Sequence, residues 1–195
     1  MGVGVHNPVN IAIFASGAGT NAARIIEHFR HNSRVSVRLI VCNKPEAGVL
    51  NIAKENNIDS LLIEKESFFR GDAYIYVLQE MKSDWIVLAG FLWKIPAALI
   101  RAFPNRIINI HPALLPKYGG KGMYGQHVHE AVIANKEKES GISIHYVDEL
   151  YDHGKIIFQA GCPVENNDDA AGLAKKIHAL EHLHYPKVIE DLVQK

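Results

Sequence analysis

Two polar residues interrupt an apolar run at Ile107-Ile108-Asn109-Ile110-His111-Pro112. Side chains alternate along a strand, so Asn109 and His111 share one face, roughly 6–7 Å apart. Pro112 disfavours helical dihedrals at His111 and keeps that end extended. A carboxamide and an imidazole on a buried strand are costly unless they are hydrogen-bonded or put to use. Ligands of open α/β sheets bind beyond the carboxyl ends of strands, where His111 falls. A hydrogen-bonded structural pair is the alternative.

A second chemical feature is the turn Ser16-Gly17-Ala18-Gly19-Thr20-Asn21-Ala22. Glycines let backbone amides approach an anion closely, and a helix N-terminus adds partial positive charge. The spacing Gly17-x-Gly19-x-x-Ala22 fits the loose dinucleotide fingerprint. That fingerprint wants an acidic residue at the end of the second strand, and Val41-Cys42-Asn43-Lys44 offers none. A nicotinamide dinucleotide, a monophosphate and a tight turn without ligand all remain open. Thr20 and Asn21 could cap the helix or donate to phosphate oxygens.

Strands and helices must alternate to place these features. Ile11–Ala15, Val35–Val41, Leu61–Ile63, Trp85–Ala89 and Ile107–Ile110 are short apolar runs, the pattern of strands buried on both faces. Helical spacing fills the gaps: Asn21–Arg30 with Ala22, Ile25, Ile26 and Phe29, then Val49–Glu55, Ala73–Met81 and a short helix near Pro96. Pro112–Gln126 reads as a loop. Ser143–Val147 and Ile156–Ala160 read as strands joined by the turn Asp148–Lys155, and Asp169–Gln194 as a closing helix interrupted at Pro186. This rhythm predicts a doubly wound, mostly parallel sheet with helices on both faces, as one domain over 1–195.

Composition narrows the partners. The 195 residues carry 21 basic and 21 acidic side chains, so no global field attracts nucleic acid or anionic membrane. The apolar stretch Trp85–Trp93 is too short to span a bilayer. Residues 1–9 lack a basic segment followed by an apolar one, so a secretory leader is not expected. The two cysteines, Cys42 and Cys162, form no C-x-x-C and are read as buried thiols in a reducing cytosol. Among eleven histidines, His127, His129 and His145 lack a ligand spacing with acidic or cysteine partners, so no metal is expected. His6, His28, His31, His182 and His184 are read as surface or packing residues.

The run Asn109-Ile110-His111-Pro112-Ala113-Leu114-Leu115-Pro116 resembles the signature of the formyltetrahydrofolate-dependent formyltransferases, most closely the members that act on phosphoribosylglycinamide. The resemblance extends over nearly the whole chain. Ser16–Asn21 is similar to the family's phosphate loop, Leu88-Ala89-Gly90-Phe91 to the start of its folate site, Asp148–Gly154 to its acidic turn, and Glu181-His182-x-x-Tyr185-Pro186 to its C-terminal helix. The relatives that act on methionyl-tRNA or release formate carry a further domain, for which 195 residues leave no room.

The resemblance implies a Rossmann-like formyltransferase fold and direct formyl transfer from 10-formyltetrahydrofolate, without metal or covalent intermediate. It implies that Asn109 holds the formyl oxygen, His111 acts as acid and oxyanion stabiliser, and Asp152 steadies His111 and a proton-shuttling water. Gly17, Ala18, Gly19, Thr20 and Asn21 would take the substrate phosphate, and Glu181 the amine, with His178 on the same helical stripe. Leu92, Trp93, Lys94 and Ile95 match the segment whose backbone meets the pterin, with Leu88, Leu99 and Ile100 as apolar lining and Arg70 for the folate carboxylate. Two departures stand out. Relatives often have Met-Arg-Ile-Leu where this chain has Leu92-Trp93-Lys94-Ile95, and Gly119–Gly125 makes a longer loop, suited to a mobile lid or a plain solvated turn.

Overall fold

The computed structural model describes residues 7–70 and 72–194. In chain order the elements are β1 (Val9–Ala15), α1 (Thr20–Phe29), β2 (Val35–Cys42), α2 (Gly48–Glu55), β3 (Asp59–Leu62), α3 (Lys65–Arg70), α4 (Ile75–Glu80), β4 (Trp85–Leu88), α5 (Ala97–Ala102), β5 (Ile107–His111), α6 (Gln126–Ala134), β6 (Glu139–Tyr146), β7 (Ile156–Pro163) and α7 (Ala170–Val193). The seven strands form one sheet in the order β3-β2-β1-β4-β5-β6-β7. Pairing is parallel from β3 through β5 and antiparallel at β6 and β7.

Alternation along the central strand sets the layers. Ile11, Ile13 and Ala15 pack into one apolar cluster with α1, α2, α6 and α7, while Ala12 and Phe14 pack into the other with α3, α4 and α5. The doubly wound, Rossmann-like arrangement expected from the sequence is the one observed. α1 starts without a side-chain cap, so packing carries it. Its buried Ile25, Ile26 and Phe29 contribute roughly 1.5–3 kcal/mol each.

Three local readings change. α7 runs through Pro186 without a break. The missing hydrogen bond and ring clash cost about 3 kcal/mol, and burial of Tyr185, Val188 and Ile189 at roughly 1.5–3 kcal/mol each outweighs it. α3 and α6 occupy segments for which no element is read from the sequence. Cys42 is buried as expected, but Cys162 on the outer strand β7 is only half-buried. Among the described residues no helix is long and apolar enough to cross a membrane. His6 lies outside the described residues.

Candidate active site

The chain leaves β1 for β2 and β3, then returns to β4 on the other side of β1. At this switch point the loops after neighbouring strands part and leave a crevice. A cleft of about 760 Å³ opens there, lined by residues 16–21 after β1, Ala89–Leu92 after β4 and Asn109–Pro112 at the end of β5. Gly120–Gly125, Asp152, His178 and Glu181 also line it.

The glycine turn is fastened from three sides. Ser16 N–H donates to the Gly90 carbonyl (3.1 Å), Ser16 Oγ accepts from Leu92 N–H (2.9 Å), and the Gly17 carbonyl accepts from Val49 N–H (3.2 Å). Gly19 has φ +79°, and a Cβ there would lie 2.8 Å from Val49 Cβ, so this position requires glycine. Gly19 itself is the N-cap of α1, and neither Thr20 nor Asn21 caps the helix. Asn21 instead donates through Nδ2 to Glu181 Oε2 (2.9 Å), where His178 Nδ1 also lies at 3.0 Å. Glu181 is 5% exposed, and its carboxylate ties the middle of α7 to the start of α1. Its hydrogen bond raises the His178 pKa above the ordinary histidine value, against burial.

Asn109, His111 and Asp152 also meet at the cleft. Asn109 Nδ2 lies 3.5 Å from Asp152 Oδ1 and 3.2 Å from His145 Nε2. His111 Nδ1 is 3.6 Å from Asp152 Oδ2, and its Nε2 donates to the Tyr118 carbonyl at 2.7 Å. Asp152 adopts φ +51°, a left-handed turn geometry that aspartate tolerates, and Oδ2 accepts from Gly120 N–H at 2.9 Å. The loop is held in turn by Tyr118, whose hydroxyl donates to Glu137 and accepts from Asn135. Ser143 Oγ bridges the Ala113 carbonyl and Leu115 N–H, fixing the chain after His111 onto β6.

Burial dominates the His111 titration and lowers its pKa, while Asp152 and the Tyr118 carbonyl pull it upward. Burial pushes the Asp152 carboxyl up, but the His145 and His111 rings and Gly120 N–H outweigh this and hold it below the usual carboxylate range. The neutral imidazole thus faces a carboxylate that stabilises the imidazolium if a proton arrives.

The folate-side candidates divide. Leu92 lines the cleft, whereas Leu88, Ile95 and Leu99 are buried beneath it in the second apolar cluster. Trp93 and Ile100 pack against that cluster, with Trp93 5.7 Å from Phe68 and from Phe69, centroid to centroid. Lys94 sits over the Tyr151 ring at 5.8 Å, and Arg70, 76% exposed, lies 3.9 Å from Glu66. Lys44, His129 and Tyr151 line the cleft without having been singled out as site residues from the sequence. For Lys44 a signal existed: it follows the second strand where a dinucleotide site would carry an acid. Among the described residues no group of three His, Cys, Asp or Glu stands close enough to hold a metal.

Buried neutral histidines give a pH expectation. Burial lowers the pKa of His129 as it does that of His111, so the folded protein resists protonation that the unfolded chain accepts below about 6.5. Stability present above that value is lost as pH falls through it. His178 works in the opposite sense, but it is half-exposed and solvent screens it. The thermal midpoint is expected to fall between about pH 7.5 and 5.5; a rise on acidification contradicts this.

The family model described as formyl transferase matches residues 9–189. The chain is 42% identical over 189 residues to a chloroplastic phosphoribosylglycinamide formyltransferase of Vigna unguiculata, covering 94% of this chain but 61% of that protein. It is 36% identical to the phosphoribosylglycinamide formyltransferase of Bacillus subtilis, covering 93% of each. Among solved structures, the enzyme from Bacillus halodurans superposes with a TM-score of 0.87 at 36% identity, covering 95% of this chain and 96% of that one. Glycinamide ribonucleotide transformylase 1 from Symbiobacterium toebii gives 0.88 at 29% identity, covering 96% and 89%. A match over nearly every strand and helix, ending within the helix that carries Glu181, places the chain in the formyl transferase family.

Proposed function

We propose that this chain transfers the formyl group of 10-formyltetrahydrofolate to the terminal amine of 5-phosphoribosylglycinamide, a step of purine synthesis. The observation that carries the reading is that a glycine turn, Glu181 and the Asn109–His111–Asp152 set line one cleft. The names of the relatives support the choice of amine.

The amine nitrogen bonds to the formyl carbon, the bond from that carbon to the folate nitrogen breaks, and one proton passes from the amine to the departing nitrogen. Charge builds on the formyl oxygen in between, and Asn109 donates a hydrogen bond to it. His111 takes or supplies the proton, and Asp152 stabilises the charged ring. Amides of Gly17–Asn21, at the start of α1, meet the substrate phosphate. Glu181 pairs with the amine. Leu92 and the backbone beside it face the pterin, and Arg70 is the candidate for the folate carboxylate. The free thiols fit a cytosolic compartment, although the plant relatives are named chloroplastic.

Mixing the protein with formyl donor and phosphoribosylglycinamide is expected to produce the absorbance of deformylated folate only when the amine is present. Formate release without amine, or NADH oxidation instead, contradicts the reading. The nicotinamide alternative also lacks its ribose carboxylate, since Asn43 and Lys44 follow β2.

A further inference from the structure

Antiparallel pairing of β5 with β6 sets Asn109 directly opposite His145. The imidazole is 2% exposed. Its Nδ1 lies 2.8 Å from the Tyr146 carbonyl oxygen, which can only accept, so Nδ1 carries the hydrogen. With that single ring proton, Nε2 is a bare lone pair, and it lies 3.2 Å from Asn109 Nδ2 and 3.7 Å from Asp152 Oδ1. The other acceptor near Asn109 Nδ2 is Asp152 Oδ1, at 3.5 Å. Two acceptors on one side hold the amide nitrogen toward them. The reversed amide would set its oxygen against a lone pair and a carboxylate.

We infer that His145 is a positioning residue, a tautomer-locked acceptor that holds one N–H of Asn109 and leaves the other, loosely held at Asp152, to the formyl oxygen. This rests on the formyl-transfer reading above. The Tyr146 carbonyl thereby acts through two hydrogen bonds on the group that meets the developing charge. A ring kept only for packing needs neither this tautomer nor an acceptor at Nε2.

Nitrogen NMR of histidine-labelled protein near neutral pH is expected to show His145 protonated at Nδ1 and bare at Nε2; protonation at Nε2 overturns the inference. His145→Phe is expected to lower kcat about 10- to 100-fold, less than loss of the donor itself, with both KM values within about threefold. His145→Gln, whose Oε1 can accept the same hydrogen, is expected to recover most of the loss. In an Asn109→Ala background, His145→Phe is expected to add less than about threefold. Full turnover in a folded His145→Phe protein, losses that multiply, or a glutamine variant as impaired as the phenylalanine one overturns the inference. Should phenylalanine fail to pack, the spectrum and the glutamine variant decide. Failure of the underlying reading looks different: Asn109→Ala then keeps wild-type turnover whatever stands at 145.

Discussion

Asn109→Ala is expected to slow turnover by roughly 10²- to 10³-fold while both substrates still bind, the typical loss for one oxyanion donor. The interaction strengthens only as charge develops on the formyl oxygen, so kcat falls and the KM values move little. Asp152→Asn is nearly isosteric yet removes the charge facing His111 Nδ1 at 3.6 Å, and a comparable loss is expected. His111→Ala empties a site bounded by Asp152 and the Tyr118 carbonyl, and it too should leave substrate binding largely intact. On the proposed mechanism the three side chains act on one intermediate, so Asn109→Ala combined with His111→Ala should cost far less than the product of the single losses. Steady-state kinetics on folded variants, with circular dichroism as the check on folding, measures all of this. Wild-type turnover in a folded His111→Ala protein contradicts the assignment.

The glycine turn supports a second large effect, divided between two neighbouring positions. At Gly19 a methyl group meets the Val49 side chain and backbone at 2.8–2.9 Å, and φ is +79°. Left-handed strain of roughly 1–2 kcal/mol and overpacking of roughly 1–3 kcal/mol put the cost of Gly19→Ala at about 2–5 kcal/mol of stability. That is a large share of the roughly 5–15 kcal/mol that holds a domain together. At Gly17 a Cβ meets nothing within 4 Å, so Gly17→Val should fold normally. The added side chain stands where backbone amides approach the anion. Loss of one charge-assisted hydrogen bond, about 1.5–3 kcal/mol, predicts roughly 10- to 150-fold weaker binding of phosphoribosylglycinamide and unchanged folate binding. Urea denaturation and titration calorimetry separate the two positions. Equal loss of both ligands at Gly17 means that the turn does not hold the phosphate.

Periodicity makes the sheet legible because its central strands β1, β4 and β5 are buried on both faces and read as nearly continuous apolar runs. Ile11–Ala15 and Trp85–Ala89 fall within a residue or two of the observed strands. α6 carries a weak periodic signal because one of its three buried residues, between Val128 and Val132, is the polar His129. α3 escaped because six residues with one buried phenylalanine carry too little period to register. Pro186 misled in the other direction, since a local rule lost to tertiary burial. At the site, the alternation of Asn109 and His111 was visible along their strand. The approach of His145 was not, because it depends on the antiparallel return of β6, and register between strands is not written in either strand alone. Asp152 was reachable only through resemblance, since a left-handed aspartate in a distant turn carries no periodic signal.

The hydrogen bond from Asn21 to Glu181 joins residues 160 apart in the chain, and that from the Tyr185 hydroxyl to the Leu88 carbonyl joins residues 97 apart. Translation proceeds from the N-terminus at about 5–20 residues per second, so the glycine turn exists roughly 8–30 s before the carboxylate that braces it. Late in that interval the nascent chain holds Ile108, Ile110 and Ile144 on a sheet face whose helical cover, Leu173, Ile177 and Ile189, is not yet docked. Exposed apolar faces of this kind are the ones that aggregate or recruit chaperones. Closure of the cleft therefore waits for α7, which brings Glu181 to Asn21.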